Sequence, residues 1–194
     1  MRTRRSQSSG NPISGGQSAS GHRTVLLHEA IELLDIQPTD TVVDSTLGGA
    51  GHTAEIRKLA EKGTTVAFDA DQDAIARARE RFGDDARIHL IHANFRHMRE
   101  KLHEIGITQI SGALFDLGWS GYQLSAGRGF SFQSDEPLSM AYDASQALTA
   151  HVAVNTWAAS SLEDVIRGWG EERYAGRIAR VITEARVEKP IETA

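Results

Sequence analysis

Three acidic residues, each at the end of an apolar run, are the side chains of this sequence best suited to chemistry. Asp44 closes the run Thr41–Asp44, and Asp69 and Asp116 follow two later runs. The first run leads into a glycine-rich segment, Gly48–Gly51, and then into a predicted helix. A strand, a glycine turn and a helix in this order build a nucleotide-cofactor site, because backbone N–H groups and the helix N-terminus face the ligand.

The residues around the glycines distinguish between two candidate cofactors. Gly49–Ala54 fits the pattern G-x-G-x-x-[GA], and Asp69 lies 18 residues after Gly51. An acid there accepts both hydroxyls of an adenosine ribose; the alternative is that Asp69 only caps the next helix. A carboxylate at Asp44 would repel the pyrophosphate of a nicotinamide cofactor but suits the positively charged methionine end of S-adenosylmethionine. We therefore predict S-adenosylmethionine, with a nicotinamide-dependent oxidoreductase as the alternative.

Strands that alternate with helices have to position these residues. The predicted strands are Thr41–Asp44, Thr64–Phe68, Ile88–His92 and Ile110–Phe115, and the predicted helices are Thr24–Leu34, about Thr53–Lys62, Asp73–Phe82 and Arg96–Glu104. This alternation predicts βαβ units and a parallel sheet. Right-handed crossovers then bring the glycine loop, Asp69 and Asp116 to one carboxyl edge. The predicted fold class is α/β, with a Rossmann-like sheet.

The rest of the chain has a different pattern. Residues 118–148 are typical of loops, and residues 149–188 are predicted to be helical. Ser160–Glu163 fits a capping box, and an apolar stripe runs at helical spacing from Tyr174 to Ala185. We expect Trp157 and Trp169 to lie in the core of this helical part.

This pattern divides the chain into three parts. We predict a disordered tail at 1–21, a sheet-containing part at 22–117 and a mostly helical insertion at 118–194. Four parallel strands without a returning strand make an incomplete sheet, so we expect a truncated domain. An open edge of a parallel sheet predicts poor solubility or a covering partner, with a second copy of the chain as one candidate.

Composition is typical of a soluble protein of the cytoplasm. The 194 residues are 40% hydrophobic and 24% charged, and no apolar run approaches the roughly 20 residues that span a bilayer. The absence of cysteine excludes a disulfide framework and thiolate metal sites, and the spacing of the histidines indicates no metal site. The net charge of −5 means that binding to RNA would need a local basic patch.

Eight blocks of sequence, in a fixed order, resemble one family. They are VLLHEAIELL (25–34), DSTLGGAGHT (44–53), FDAD (68–71), HANF (92–95), DLGWSGYQL (116–124), RGFSF (128–132), GEERYAGRIAR (170–180) and KPIET (189–193). Together they resemble the bacterial small-subunit ribosomal RNA methyltransferase H family, from about residue 22 to the end. The resemblance implies methyl transfer from S-adenosylmethionine to N4 of a cytidine in the decoding region of 16S ribosomal RNA. The implied partner is the small ribosomal subunit, and no association with a membrane is implied. Because the proteins of this family are longer, the resemblance also implies that this chain is truncated.

The resemblance also implies which residues form the site. The implied cofactor-binding residues are Ala50, Gly51, His52, Asp69, Phe95, Asp116 and Gln123. Residues after the fourth strand resemble the family's helical insertion, which is thought to help recognise RNA.

Five positions depart from the family's pattern. Ala50 replaces a glycine, which is a small change if φ at this residue is negative. Trp119 and Tyr122 are bulkier than the family's Val and Pro, and Ser139 and Ala141 replace an acid and an arginine. The last four positions lie where the target base is expected to approach. A non-catalytic remnant that binds cofactor or RNA is therefore a further alternative.

Asp116 is the predicted catalytic residue. The cytosine amine is a poor nucleophile because its lone pair is delocalised into the ring, and a carboxylate that accepts its N–H bonds stabilises the charge that develops. The alternative is that Asp116 binds the methionine end of the cofactor. His52, at a helix N-terminus that disfavours protonation, is predicted to be a neutral cofactor contact. Phe95 is predicted to contact adenine.

Four arginines are candidate RNA contacts. Arg128, with Phe130 and Phe132 nearby, can hold an extruded base by stacking, and the alternative is a loop core. Arg173, Arg177 and Arg180 follow helical spacing on one helix edge and can bind phosphates. Their alternative is a solvated face with ordinary ion pairs.

Overall fold

Four parallel strands form the sheet at the centre of the protein. The computed structural model describes residues 24–194, so the predicted tail at 1–21 lies outside the described residues. The strands are β1 (Thr41–Asp44), β2 (Thr64–Asp69), β3 (Ile88–His92) and β4 (Gly112–Leu114). Their order is β3-β2-β1-β4, and each neighbouring pair is parallel. This is the order of the first four strands of a Rossmann sheet, so the predicted α/β fold class is confirmed.

Helices connect these strands and continue beyond them. They are α1 (Leu27–Leu34), α2 (Gly51–Leu59), α3 (Gln72–Phe82), α4 (Met98–Glu104), α5 (Gly121–Leu124), α6 (Ala150–Thr156), α7 (Ala159–Gly168) and α8 (Ala175–Glu188). A 3₁₀ turn at 95–97 precedes α4. Within residues 24–194, no helix is long and apolar enough to cross a membrane.

Helix α2 ends three residues earlier than the predicted Lys62. The N–H of Lys62 instead donates to the carbonyl of Pro38 at 2.8 Å. The following Gly63 lies so close to Asp40 that a Cβ would come within 2.0 Å of its carbonyl oxygen. A tight turn against the start of β1 therefore ends the helix.

The core lies on both faces of the sheet. On one face, Ile75 and Ala78 of α3 pack with Leu47 of the glycine loop and Ala67 of β2. On the other, Leu102 of α4 packs with side chains of β1 and β2, including the fully buried Phe68. Helices on both faces are what a parallel sheet requires.

The predicted capping box at Ser160–Glu163 is wrong. Helix α7 begins at Ala159, and its N-cap residue, Ala158, forms no side-chain hydrogen bond with the helix end. A capping box is present at α5 instead, where Ser120 and Gln123 each bond the other's backbone N–H. That short helix lies in the region predicted to be loop.

The predicted apolar stripe of α8 is not the main buried face of the helix. Ala175 and Ala179 are buried, whereas Tyr174 and Val181 are each 54% exposed. Helices α7 and α8 approach so closely that a Cβ at Gly176 would lie 3.0 Å from the carboxylate of Glu163. Such an approach selects the small residues of α8 for the interface.

The expected core position of Trp169 is likewise wrong. Its side chain is 89% exposed, and it follows the last residue of α7. Trp157 is half-buried at the end of α6. In the helical part, Leu162 of α7 and the two alanines of α8 are buried, whereas Trp169 is exposed.

Candidate active site

A cleft of about 610 Å³ lies at the carboxyl edge of the sheet. It opens beside the ends of β1 and β4, where the strand order reverses, and ligands bind at such points of open α/β sheets. Six of the seven predicted cofactor-binding residues line it: Gly51, His52, Asp69, Phe95, Asp116 and Gln123. The seventh, Ala50, lies behind the wall and is 3% exposed.

The glycine turn bends sharply between β1 and α2. Ala50 has φ +59°, so the condition under which replacing the glycine would be a small change is not met. Left-handed backbone costs a residue with a Cβ about 1 kcal/mol or more, so this position favours the glycine that Ala50 replaces. A Cβ at its neighbour Gly51 would lie 1.9 Å from the hydroxyl oxygen of Thr24, so a larger residue there requires the Thr24 side chain to move.

Asp44 orders this turn from behind and does not line the cleft. It is fully buried, and its carboxylate accepts bonds from the Thr53 hydroxyl at 2.6 Å and the Thr46 N–H at 3.1 Å. Burial raises the pKa of Asp44 despite these bonds. The sequence predicts that this carboxylate lies near the methionine end of a cofactor. That prediction is wrong, because the carboxylate is buried against the glycine loop and bonds to Thr46 and Thr53.

Asp69 reaches the cleft from the end of β2. One carboxylate oxygen accepts the N–H of Gly48 at 2.8 Å and the other accepts the N–H of Asp71 at 2.8 Å. Burial raises the pKa of Asp69, and the charge of Arg77 acts in the opposite direction. Helix capping is performed by Asp71, which accepts the N–H of Asp73. The helix-capping alternative for Asp69 is therefore wrong.

Asp116 follows β4 on the opposite side of β1. Its backbone N–H donates to the hydroxyl oxygen of Thr46 at 2.8 Å, while its carboxylate is half exposed. A carboxylate oxygen of Asp116 lies 3.9 Å from Nδ1 of His52. His52 is 5% exposed, and its Nε2 has no hydrogen-bond partner among residues 24–194. The cleft wall thus contains a buried polar atom that is unsatisfied by the described chain.

Phe95 and Gln123 both line the cleft but are held differently. The ring of Phe95 makes an edge-to-face contact with Phe115 at 5.5 Å, and Phe95 is 38% exposed. Gln123 is buried, and its side-chain oxygen accepts the N–H of Ser120 at 2.9 Å. Gln123 therefore shapes the loop before α5 in addition to forming part of the wall.

Sequence reasoning missed Tyr142 as a cleft residue. Its ring packs against Phe130 at 5.6 Å, and burial together with the charge of Asp69 raises the pKa of Tyr142. The segment 118–148 has little regular structure, so no periodicity indicated which of its residues would return to the sheet. The sequence did single out Trp119, which also lines the cleft.

Arg128 lies outside the cleft and holds its loop to the sheet. The guanidinium donates to Asp71 at 3.0 Å, to Asp73 at 2.5 Å and to the carbonyl of Tyr142 at 3.1 Å. The side chain is only 17% exposed. These bonds favour the structural alternative for Arg128 over a contact with RNA.

The other three arginines lie on the exposed surface of the helical part. Arg173 stacks on the ring of Tyr174 at 4.5 Å. Arg180 lies 3.8 Å from Glu184 in an exposed ion pair, and Arg177 is exposed on the same helix. They are outside the cleft, and their contact with RNA stays a prediction.

Comparison with known proteins agrees with this geometry. Residues 19–194 match the model of the MraW methylase family. A "Ribosomal RNA small subunit methyltransferase H" of Clostridioides difficile (strain 630) is 45% identical over 175 residues, which cover 89% of this chain and 56% of that protein. A protein of the same name from Streptococcus equi subsp. equi (strain 4047) is 45% identical over 177 residues, with the same shares covered. The chain spans just over half the length of these relatives, and it belongs to the MraW methylase family.

Proposed function

We propose that this chain forms the cofactor-binding half of an S-adenosylmethionine-dependent methyltransferase that modifies N4 of a cytidine in 16S ribosomal RNA, within the decoding region. The observation that carries the proposal is the single cleft that brings together Asp69, His52 and Asp116. The names of the relatives, which specify the small ribosomal subunit, support the choice of substrate.

The residues of the cleft fit the proposed cofactor. Each oxygen of the Asp69 carboxylate accepts one backbone N–H and retains a lone pair that can accept a ribose hydroxyl. Phe95 presents a partly exposed ring for adenine, and His52 lines the cleft with an Nε2 that has no hydrogen-bond partner in residues 24–194. When bound, S-adenosylmethionine supplies the activated methyl group.

Asp116 is proposed to act on the target base. Its half-exposed carboxylate accepts the N–H bonds of the base amine, and it thereby orients the lone pair and stabilises the positive charge that develops. The bond between its backbone and Thr46 fixes the start of the loop. In the alternative role, Asp116 binds the methionine end of the cofactor.

An Asp116→Asn variant distinguishes these two roles. Loss of turnover with unchanged affinity for S-adenosylhomocysteine supports the role on the base. A matching loss of cofactor affinity supports the other role.

The helical part is proposed to contact RNA. Arg173, Arg177 and Arg180 form an exposed basic edge suited to phosphates, and we propose residues 22–117 as the cofactor part and 118–194 as the part that recognises substrate. We propose that Arg128 holds its own loop to the sheet part through Asp71 and Asp73 and does not contact the base. Location in the cytoplasm and a homodimer remain predictions.

Methyl transfer to isolated subunits tests the proposed function. Small subunits from a strain that lacks its own enzyme are incubated with radiolabelled S-adenosylmethionine and the protein at the length of its relatives. We expect label in N4-methylcytidine after digestion to nucleosides, and none with Asp69→Ala. Cofactor binding without label would favour the non-catalytic remnant, and binding of a nicotinamide cofactor instead would favour the oxidoreductase.

A further inference from the structure

We propose that Trp119 is the surface on which the target base stacks while its amine faces Asp116. This inference rests on the proposed function, because it requires that an extruded RNA base enters the cleft. The ligand class is a flat nucleobase with an exocyclic amine. At the same position the family resembled by the sequence has a valine, so this stacking surface is a feature of this chain.

Trp119 and the predicted catalytic residue, Asp116, line the same cleft. Trp119 lies in the loop that joins β4 to α5, three residues after Asp116. Its side chain is 62% exposed, and that of Leu117, which also lines the cleft, is 71% exposed. The side of the cleft near Asp116 is therefore apolar and open.

The backbone on both sides of Trp119 is fixed. The N–H of Asp116 donates to Thr46 at 2.8 Å. On the other side, the N–H of Ser120 donates to the side chain of Gln123 at 2.9 Å as part of the capping box of α5. Binding therefore does not have to order the loop backbone, and a tryptophan side chain has only two rotatable bonds to immobilise.

Trp119 is the cleft-lining ring without an aromatic partner in residues 24–194. Phe95 packs against Phe115, and Tyr142 packs against Phe130. Within the same residues, Trp119 has no ring, cation or hydrogen-bond partner. Its face is therefore available, and stacking of a base on an aromatic ring contributes about 1–3 kcal/mol.

Tyr122, the other bulky departure in this loop, has a different position. The guanidinium of Arg77 on α3 lies 4.4 Å from the centre of its ring, and Tyr122 is not among the residues that line the cleft. Of these two residues, Trp119 is the one that lines the cleft.

The position of Trp119 favours the base over the cofactor. The proposed ribose contact, Asp69, follows β2, whereas Trp119 follows β4, and β1 lies between these strands. A cofactor that extends from Asp69 across the end of β1 reaches the side of Asp116 with its methionine end. The indole would then lie beyond the methionine end of the cofactor, on the side from which we propose that the base approaches.

The test measures RNA and cofactor affinity separately. The probe is a single-stranded RNA oligonucleotide that contains one cytidine, titrated in saturating S-adenosylhomocysteine against the parent and the Trp119→Phe, Trp119→Leu and Trp119→Val variants. A change of 1–3 kcal/mol corresponds to roughly 5- to 150-fold, and we expect a loss in this range for Leu and Val but not for Phe. Affinity for S-adenosylhomocysteine should stay unchanged in all three. Phe132→Leu, which alters an 89% exposed ring outside the cleft, tests the rival position, in which the base stacks beside Arg128.

A fluorescence measurement gives a second readout. In a Trp157→Phe, Trp169→Phe background, Trp119 is the remaining tryptophan. Cytidine monophosphate should quench its emission, and ribose 5-phosphate should not.

Several outcomes would overturn the proposal. They are RNA affinity of Trp119→Leu within twofold of the parent, a larger loss for Phe132→Leu than for Trp119→Leu, no RNA binding by the parent, or weakened cofactor binding in the Trp119 variants. The parent's affinity for S-adenosylhomocysteine is read first, because its absence would reject the proposed function itself. If Trp119→Val melts at a lower temperature than the parent, only Trp119→Leu, which keeps a larger apolar side chain than valine, is compared with the parent.

Discussion

The sheet part, residues 41–114, and the loop-and-helix part, residues 115–194, place their large apolar side chains differently. In the sheet part, Phe68 and Ile56 are completely buried. In the loop-and-helix part, Trp169 and Phe132 are each 89% exposed, and the buried positions of α8 are alanines. The sheet part therefore forms a core that holds the cleft residues in place. The loop-and-helix part contributes other cleft residues, including Asp116 and Trp119, and exposes apolar and basic side chains at its surface.

This difference predicts where substitutions will destabilise the protein most. Phe68→Ala removes a ring that is 0% exposed and should lower the free energy of unfolding by about 3–5 kcal/mol. Trp169→Ala should change it by less than about 0.5 kcal/mol. Urea unfolding of both variants checks this contrast, and a similar loss for both would show that the loop-and-helix part has a core of the same kind.

The contact between the two parts predicts a smaller effect. Arg128→Met removes the bonds to Asp71 and Asp73, and because Asp71 is buried we expect a loss of about 1–3 kcal/mol. Arg180→Met, which removes an ion pair exposed on both sides, should cost less than about 0.5 kcal/mol.

Hydrogen exchange localises the effect of Arg128→Met. The N–H of Met140 donates to the carbonyl of Arg128 and should exchange faster in that variant than in the parent. Equal exchange in both would mean that the ion pairs do not hold the loop to the sheet.

Asp44 and Asp143 should contribute with opposite signs to the change of stability with pH. The pKa of Asp44 is raised by burial. Its contribution to stability is therefore present in full when the pH is below its pKa in the unfolded state, and it is lost as the pH rises through its pKa in the folded state. Asp143, in the loop-and-helix part, has a pKa lowered by hydrogen bonds from Ser145. Its contribution to stability is present when the pH is above its pKa in the unfolded state, and it is lost as the pH falls through its pKa in the folded state.

Two isosteric variants test these signs by urea unfolding across acidic pH. In Asp44→Asn, the amide can accept the Thr46 N–H and donate to the Thr53 hydroxyl, so the fold is retained. We expect its stability to fall less with rising pH than that of the parent, and Asp143→Asn to lose less stability with falling pH. Curves parallel to the parent in both variants would contradict the assigned causes.

The glycine turn predicts the smallest effect. Ala50→Gly relieves left-handed backbone, and this gain offsets the loss of a buried methyl group. Ala54→Gly, in regular helical backbone of α2, has no such compensation. We expect Ala50→Gly to be less destabilising than Ala54→Gly by about 1 kcal/mol. An equal loss by chemical denaturation would show that Ala50 is not strained.

The sequence predicted the sheet part closely because its signals are local. Predicted β1 and β3 agree with the structure at both ends. Predicted β4 was too long, since the structure confines it to Gly112–Leu114 and directs the ring of Phe115 to Phe95. Six cofactor candidates meet in one cleft because parallel strands end on the same edge.

The remaining features depend on contacts that no local pattern records. Arg128 bonds to Asp71 and Asp73 across 57 and 55 residues of sequence, so its ion pairs could not be predicted from spacing. The φ of Ala50 follows from the turn that Asp44 and Asp69 hold. In α8, helix packing selected alanines over the more apolar stripe, a choice that periodicity alone cannot show.

The central claim is that the cleft between Asp69 and Asp116 binds S-adenosylmethionine, and calorimetric titration of the chain tests it most directly. We predict one binding site in the parent and at least about tenfold weaker binding in Asp69→Ala, because hydrogen bonds to a charged group contribute about 1.5–3 kcal/mol each. Asp84→Ala, which removes an exposed acid outside the cleft, should bind as the parent does. Absence of binding by the parent, or equal affinity of Asp69→Ala and the parent, would contradict the account.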